Sequence, residues 1–277
     1  MENTTLYVSD LDGTLLNSRD ILSARTLALL NDLISRGMRF TYATARSLVS
    51  ARRVTAGLCT RLPVIVYNGA FIMEADSGRI LDSSPFTEEE CRHARTALEG
   101  FRLHPLVYAF AGGCERVSWQ TAFENEGVRH YLRQREGDPR LHPLSSPDEL
   151  YAGQPFYYTC IGQREDLLPA FEAFRADGRY RCTLQQELYR PEYWLEIMPA
   201  QATKARAARK LQKRRGCERL VCFGDAFNDL PLFRQSDAAY AVENAVPALK
   251  EAATGIIGGN DADGVALWLS EHFHASV

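Results

Sequence analysis

The apolar run Leu6-Tyr7-Val8 breaks into Asp10-Leu11-Asp12-Gly13-Thr14, and no other stretch constrains the fold as strongly. A β-branched and aromatic run without polar alternation reads as a strand buried on both faces, the habit of parallel sheets covered by helices. Such sheets bind ligands outside the carboxyl ends of their strands. Aspartates at i and i+2 leave a strand on one side, and Gly13 lets the chain turn away without a side chain in the way. An Asx-rich turn that merely ends a strand is the plain alternative for an isolated D-x-D-G.

The following segments repeat the pattern. Ser23 is the predicted N-cap of an amphipathic helix carrying Leu27, Leu30 and Ile34 and stopping at Gly37. A strand over 38–43 ends at Thr44-Ala45-Arg46, a helix follows from about Ser47, and a strand over 62–67 closes on Asn68-Gly69-Ala70. This is the βαβ rhythm of a doubly wound sheet. From Phe71 the rhythm changes. Runs at 71–74 and 79–81 read as a β-hairpin, Ser83-Ser84-Pro85 as a linker, and Thr87 with Glu90 as a capping box. Strand-like runs at 103–110, 156–161 and 180–184, with helical patterns at 121–135 and 164–175, describe an inserted α+β domain with an antiparallel sheet. The return is placed near Arg190-Pro191-Glu192, so the expected division is 1–83 core, 84–191 insert and 192–277 core. In the last part a strand over 193–198 precedes a helix over 203–215. The next strand, 220–223, ends in Gly224-Asp225-Ala226-Phe227-Asn228-Asp229. A further strand, Ala238–Val242, reaches Glu243-Asn244-Ala245, and a helix begins near Asp263.

At 277 residues the chain is long enough for two domains. A formal net charge of −3 argues against a general nucleic-acid binder. The seven cysteines include no C-x-x-C pair, which suits reduced, mostly buried side chains in a cytoplasmic protein better than a disulfide frame or zinc site. No stretch reads as a leader or a membrane span. The basic run Arg206, Arg209, Lys210, Lys213, Arg214 and Arg215 lacks interleaved stacking aromatics, so a solvated helix face is expected rather than a nucleic-acid surface.

Asp10 with Asp12, Thr44, Lys204, and Asp225 with Asn228 and Asp229 lie at strand or helix ends that only a fold could unite. As a set they suit phosphoryl transfer. A phosphomonoester needs a rate enhancement of up to about 10²¹, which calls for a nucleophile, charge neutralisation and a proton donor at once.

The ordered motifs Asp10-Leu11-Asp12-Gly13-Thr14-Leu15-Leu16, Thr44-Ala45-Arg46, Asn68-Gly69-Ala70, Ile197-Met198-Pro199 leading to Lys204, Gly224-Asp225 with Asn228-Asp229, and Asp263-Gly264-Val265-Ala266 resemble the haloacid dehalogenase superfamily. The resemblance is to its Cof-type phosphatases with a large C2B cap, over nearly the whole chain. It implies an α/β fold, a Rossmann-like parallel-sheet core with an inserted α+β cap domain. It further implies Mg²⁺-dependent hydrolysis of a small phosphorylated metabolite through an aspartyl-phosphate, with sugar phosphates first and nucleotides or cofactor phosphates second. On this resemblance Asp10 is the nucleophile, and Asp12 is the acid and then the base, its proton affinity raised by neighbouring carboxylates. Asp10, the Asp12 carbonyl and Asp225 would ligate the metal, with Asp229 supporting that shell from outside. Thr44, the N–H groups of Leu11 and Ala45, Lys204 and Asn228 would hold the phosphoryl group. Hard oxygen donors suit magnesium, and a lysine supplies a compact charge. Ala45, Ala205 and Glu243 stand where the family commonly has glycine.

Two rivals share these motifs. A phosphomutase or other phosphotransferase differs in the fate of the phosphoryl group, and a non-catalytic phosphometabolite-binding regulator would not need the intact catalytic set. No nucleic-acid or membrane partner is expected, and the oligomeric state stays open. Tyr108, Arg116, Tyr157, Tyr158, Arg181, Tyr189 and Arg190 in the insert suit a hydroxylated or anionic leaving group, or most of the tyrosines simply pack the sheet and most of the arginines face solvent.

Overall fold

Five parallel strands run in the order Gly255–Ile257, Ala238–Val242, Arg219–Gly224, Thr5–Ser9, Arg39–Tyr42 in the computed structural model, which describes residues 4–187 and 190–274. Strand Thr5–Ser9, paired on both edges, is apolar on both faces, with Leu6 and Val8 fully buried on one and Tyr7 buried on the other. Helices complete the α/β layers: Ala24–Ser35, capped by the Ser23 hydroxyl accepting from the Thr26 N–H, Leu48–Val54 behind Ser47, Lys204–Arg214 behind Thr203, and Gly264–His272. Each serine or threonine cap satisfies an otherwise orphaned N–H of the first turn.

The expected third parallel strand behaves differently. Val64–Val66 pairs antiparallel with Phe71–Met73, which pairs with Ile80–Ser83, and among the described residues it meets the parallel sheet through the bridge from Ala43 to Ile65. The hairpin partner is the nearest strand along the chain, while the Thr44 N–H still donates to the Ile65 carbonyl at 3.0 Å on the other side. The edge strand Gly255–Ile257 escapes periodicity because it has three residues, one of them an exposed Ile256. The basic helix keeps its charges at home: Lys210 Nζ reaches Asp82 Oδ1 at 2.5 Å, Arg214 donates to the Leu81 carbonyl at 2.9 Å, and Arg209 pairs with Asp237 at 3.2 Å.

The second unit, Ser84–Gln201, is built on a six-stranded sheet ordered Tyr180–Gln186, Tyr193–Pro199, Gln154–Gly162, Leu106–Ala111, Cys114–Gln120, Leu141–Leu144. The last pair is parallel and the others antiparallel, so the sheet is mixed rather than antiparallel throughout. Helices Glu88–Gly100 and Arg164–Ala176 bury Leu98, Leu167 and Phe174 in one core with Val107, Tyr158, Leu195 and Ile197. Each such side chain contributes about 1.5–3 kcal/mol on burial. The capping box at Thr87 and Glu90 forms with both of its hydrogen bonds.

This sheet corrects the expected domain boundary. Strand Tyr193–Pro199, read as the chain's return to the core, pairs on one side with Gln154–Gly162 and on the other with Tyr180–Gln186. The second unit therefore extends to Gln201 instead of residue 191. The helix expected over 121–135 is shorter, Glu126–Arg133, because Asn125 caps it by accepting from the Val128 N–H at 2.9 Å. Tyr108, Tyr157 and Tyr158 are buried, the Tyr108 and Tyr157 rings 5.4 Å apart, and the Tyr108 hydroxyl meets the Tyr131 hydroxyl at 2.7 Å, so these tyrosines pack the sheet, while Tyr189 lies outside the described residues. All seven cysteines are free thiols; Cys160, Cys217 and Cys222 are buried, Cys91 and Cys182 half-buried, and Cys59 and Cys114 exposed, so fewer are buried than the expected majority. Among the described residues no helix is long and apolar enough to cross a membrane.

Candidate active site

Strand register brings the acids together. Ser9 is level with Phe223 on one side and Tyr42 on the other, so Asp10, Asp225 and Thr44 follow at adjacent strand ends. The Asp10 N–H donates to the Phe223 carbonyl at 3.0 Å, and the Ala43 N–H donates to the Ser9 carbonyl at 2.9 Å, which carries the ladder up to the site.

Lys204 closes the cluster. Its ammonium lies 2.7 Å from Asp10 Oδ1 and 2.9 Å from Asp229 Oδ1, and the side chain is 1% exposed. It is the first residue of its helix, where the macrodipole disfavours a cation by about 0.3–1 kcal/mol. The two carboxylates override that preference. Burial opposes the charge on Lys204, but the attraction of Asp10 and Asp229 wins and raises its proton affinity above the ordinary lysine value. Burial also raises Asp10 well above the carboxylate range, reinforced by Asp229 and opposed by Lys204, since one ammonium cannot neutralise several neighbouring acids. Asp229 Oδ2 further accepts from the N–H groups of Asp225 and Ala226, both at 3.2 Å.

Close approach explains two of the glycines. Gly13, at φ +71°, leaves the space taken by Asp225, because a Cβ there would sit 2.4 Å from Asp225 Oδ2. Gly69, at φ +96°, makes room for the next helix; a Cβ would sit 2.2 Å from the Thr203 carbonyl oxygen and 2.7 Å from the Lys204 nitrogen. It follows Tyr67 and Asn68, which also adopt positive φ, at 51° and 53°. Such backbone costs about 1–3 kcal/mol per residue and persists where surrounding structure enforces it. Gly69→Ala is therefore expected to displace Lys204 and lower kcat/KM more than a surface Gly112→Ala, a steady-state comparison on p-nitrophenyl phosphate. Ala45, Ala205 and Glu243 lie outside the positive-φ set, so these departures from glycine cost no strain.

Other expected site residues are held in ways the sequence did not indicate. Asp12 is met by a guanidinium and not by the expected crowd of carboxylates: Arg46 Nε lies 2.9 and 3.0 Å from its two oxygens, and Nη2 2.5 Å from Oδ1. The Leu11 N–H, expected to hold a phosphoryl oxygen, donates to Asp10 Oδ1 at 2.7 Å because the turn folds that carboxylate back on its own successor. Thr44 is fully buried, its hydroxyl accepting from the Arg46 N–H at 3.1 Å, whereas Ala45 is exposed. The Asn228 amide donates to Asn68 Oδ1 at 3.3 Å. No local sequence signal points to a set of ties onto the loop after Asp12. Thr14 donates to Asp225 Oδ1 at 2.9 Å, Asn244 to the Gly13 carbonyl at 2.7 Å, and Asn260 to the Leu16 carbonyl at 3.0 Å. Asp263 accepts from Ser23 Oγ and Thr26 Oγ1 at 2.5 and 2.8 Å. Asn244 and Asp263 sit in the Glu243-Asn244-Ala245 and Asp263-Gly264-Val265-Ala266 motifs, but nothing local shows which carbonyl or hydroxyl they reach.

Asp10, Asp225 and Asp229 each offer an oxygen within 4.8 Å of the others, a spacing that fits one cation. Every donor is a hard oxygen, and the charge balance favours an ion. Burial, with Asp229 adding repulsion and Thr14 opposing by its hydrogen bond, pushes Asp225 up to about 6. The Asp12 carboxylate is outside this group, leaving its main-chain carbonyl as the expected ligand atom. Without a cation, the raised Asp225 stabilises the fold fully below the ordinary carboxylate range and loses that contribution as pH rises through about 6. A divalent ion takes the ionised form, so Mg²⁺ is expected to raise the melting temperature more at pH 7.5 than at pH 5, as thermal-shift measurements would register.

A family model for haloacid dehalogenase-like hydrolases matches residues 7–269. The 5-amino-6-(5-phospho-D-ribitylamino)uracil phosphatase YwtE of Bacillus subtilis (strain 168) is 26% identical, covering 95% of this chain and 96% of that protein. The pyridoxal phosphate phosphatase YbhA of Escherichia coli (strain K12) is 23% identical, covering 97% and 98%. A crystal structure from Thermotoga maritima superposes with a TM-score of 0.76 at 26% identity, covering 98% of each chain. With a parallel core, an inserted α+β cap domain and buried acids around one lysine, the chain belongs to the haloacid dehalogenase-like hydrolases, as one of their Cof-type phosphatases.

Proposed function

We propose that this enzyme is a magnesium-dependent phosphomonoester hydrolase acting on small phosphorylated metabolites, sugar phosphates first, through an aspartyl-phosphate. One observation carries the reading: a buried ammonium bridges Asp10 and Asp229 while Asp225 stands within ion-binding distance of both. The relatives named for a ribitylamino-uracil phosphate and for pyridoxal phosphate support the substrate size.

In this reading an Asp10 oxygen attacks phosphorus as the ester P–O bond breaks. The bond's electron pair goes to the ester oxygen, which takes the Asp12 proton and leaves as the alcohol. Water then attacks the aspartyl-phosphate, returning its proton to Asp12 and releasing inorganic phosphate. Lys204 shares the charge developing beside Asp10, and Thr44 at the neighbouring strand end holds a phosphoryl oxygen. Bound Mg²⁺ at Asp10, Asp225, Asp229 and the Asp12 carbonyl would supply charge neutralisation at the phosphoryl oxygens.

The test is a panel of sugar, nucleoside and cofactor phosphates assayed for inorganic phosphate, with Mg²⁺ and with EDTA. Release that depends on Mg²⁺ is the expected result. Conversion of a hexose 1-phosphate to the 6-phosphate without net phosphate would instead support the mutase, and metal-dependent binding without turnover the regulator.

A further inference from the structure

We infer that Arg46 is a positioning residue for the proton-transfer step, holding the Asp12 carboxylate in a fixed plane for the leaving oxygen. This rests on the reading of Asp12 as the acid. The guanidinium grips both Asp12 oxygens, with three contacts of 2.5 to 3.0 Å, a forked geometry that fixes orientation as well as distance. Arg46 is itself anchored at several points. Its N–H donates to Thr44 Oγ1 at 3.1 Å, its carbonyl accepts from the Tyr67 N–H at 3.0 Å, and Nη1 reaches Ser50 Oγ at 3.3 Å. The same short turn thus carries Thr44, at the expected phosphate position, and the group that orients Asp12.

Stability is a poor explanation for this pair. The Asp12 side chain is 42% exposed and that of Arg46 22%, a setting in which an ion pair contributes about 0–1 kcal/mol. Asp12 immediately precedes Gly13 in a turn with non-helical backbone at both residues, so without a partner its carboxylate would sample several rotamers. A proton donor misplaced by about 1 Å can lose about a hundredfold in rate.

The experiment compares kcat/KM for p-nitrophenyl phosphate and phenyl phosphate, esters of similar shape whose leaving groups differ in basicity. The p-nitrophenolate departs without a proton, whereas phenoxide gains from one. Because kcat/KM covers steps only through alcohol release, the later water attack does not enter. Arg46→Gln is expected to lower the phenyl-to-nitrophenyl ratio by about tenfold or more, within the 10²–10⁴ range of general acid catalysis. Arg46→Lys, which keeps the charge but cannot fork, should shift it the same way by less. The ratio is independent of the fraction folded, and Arg46→Lys carries the test should Arg46→Gln not fold. Asp12→Asn should shift the ratio at least as far, and adding Arg46→Lys to it should shift the ratio no further. If Asp12→Asn shifts the ratio and neither Arg46 variant does, the inference about Arg46 is overturned. If Asp12→Asn leaves the ratio unchanged, the reading of Asp12 as acid fails first.

Discussion

Asp10→Asn is expected to reduce phosphate release from p-nitrophenyl phosphate by about 10⁴-fold or more while the protein stays folded. The substituted amide oxygen is a weak nucleophile and cannot form a stable acyl-phosphate. The fold has reasons to survive. The amide keeps nearly the carboxylate's shape, the Leu11 N–H retains an oxygen to donate to, and Lys204 keeps Asp229 at 2.9 Å. Removing one of several crowded acids even relieves repulsion, since Asp229 raises the proton affinity of Asp10. A melting temperature at or above that of the parent, together with lost turnover, is the expected pair of results. Near-parental turnover in a folded variant would sink the nucleophile assignment.

Lys204→Met should damage stability and activity together. It leaves Asp10 and Asp229, 6% and 0% exposed, facing each other with no cation between them. Removing one partner of a buried ion pair typically costs about 3–5 kcal/mol, because the remaining charge keeps its desolvation penalty. The sign with pH follows from the direction of the Asp10 shift. A carboxyl raised in the folded state favours folding at low pH, and that contribution is lost as it ionises. The variant's deficit in melting temperature should thus be smallest below the ordinary carboxylate range and widen as pH rises. Mg²⁺ should restore part of the stability, as a substitute positive charge, without restoring turnover to the parental level. An equal deficit at pH 4 and pH 8 would show that Lys204 acts through packing and not through its charge.

What could be read along the chain was whatever is encoded locally. Hydrophobic runs ending in acids marked the core strands at 5–9 and 219–224, and serine or threonine ahead of periodic segments marked helix starts at Ser23, Ser47, Thr87 and Thr203. Lys204 stands out from a run of basic residues because its distance from Pro199 matches a motif, and the fold buries it against Asp10. Motif membership alone did not reveal what Arg46, Asn244 and Asp263 touch.

The residue types at the strand ends, and the elements that carry them, were thus determined by the sequence itself, because period, caps and glycine positions act over a few neighbouring residues. Tertiary structure alone decided that Tyr193–Pro199 joins the second unit's sheet, that Asp12 meets Arg46, and that the Leu11 N–H turns to Asp10. Those outcomes depend on register between strands and on which of several compatible charges arrives first in space. A carboxylate or an edge N–H carries the same local signature whichever partner it finally takes.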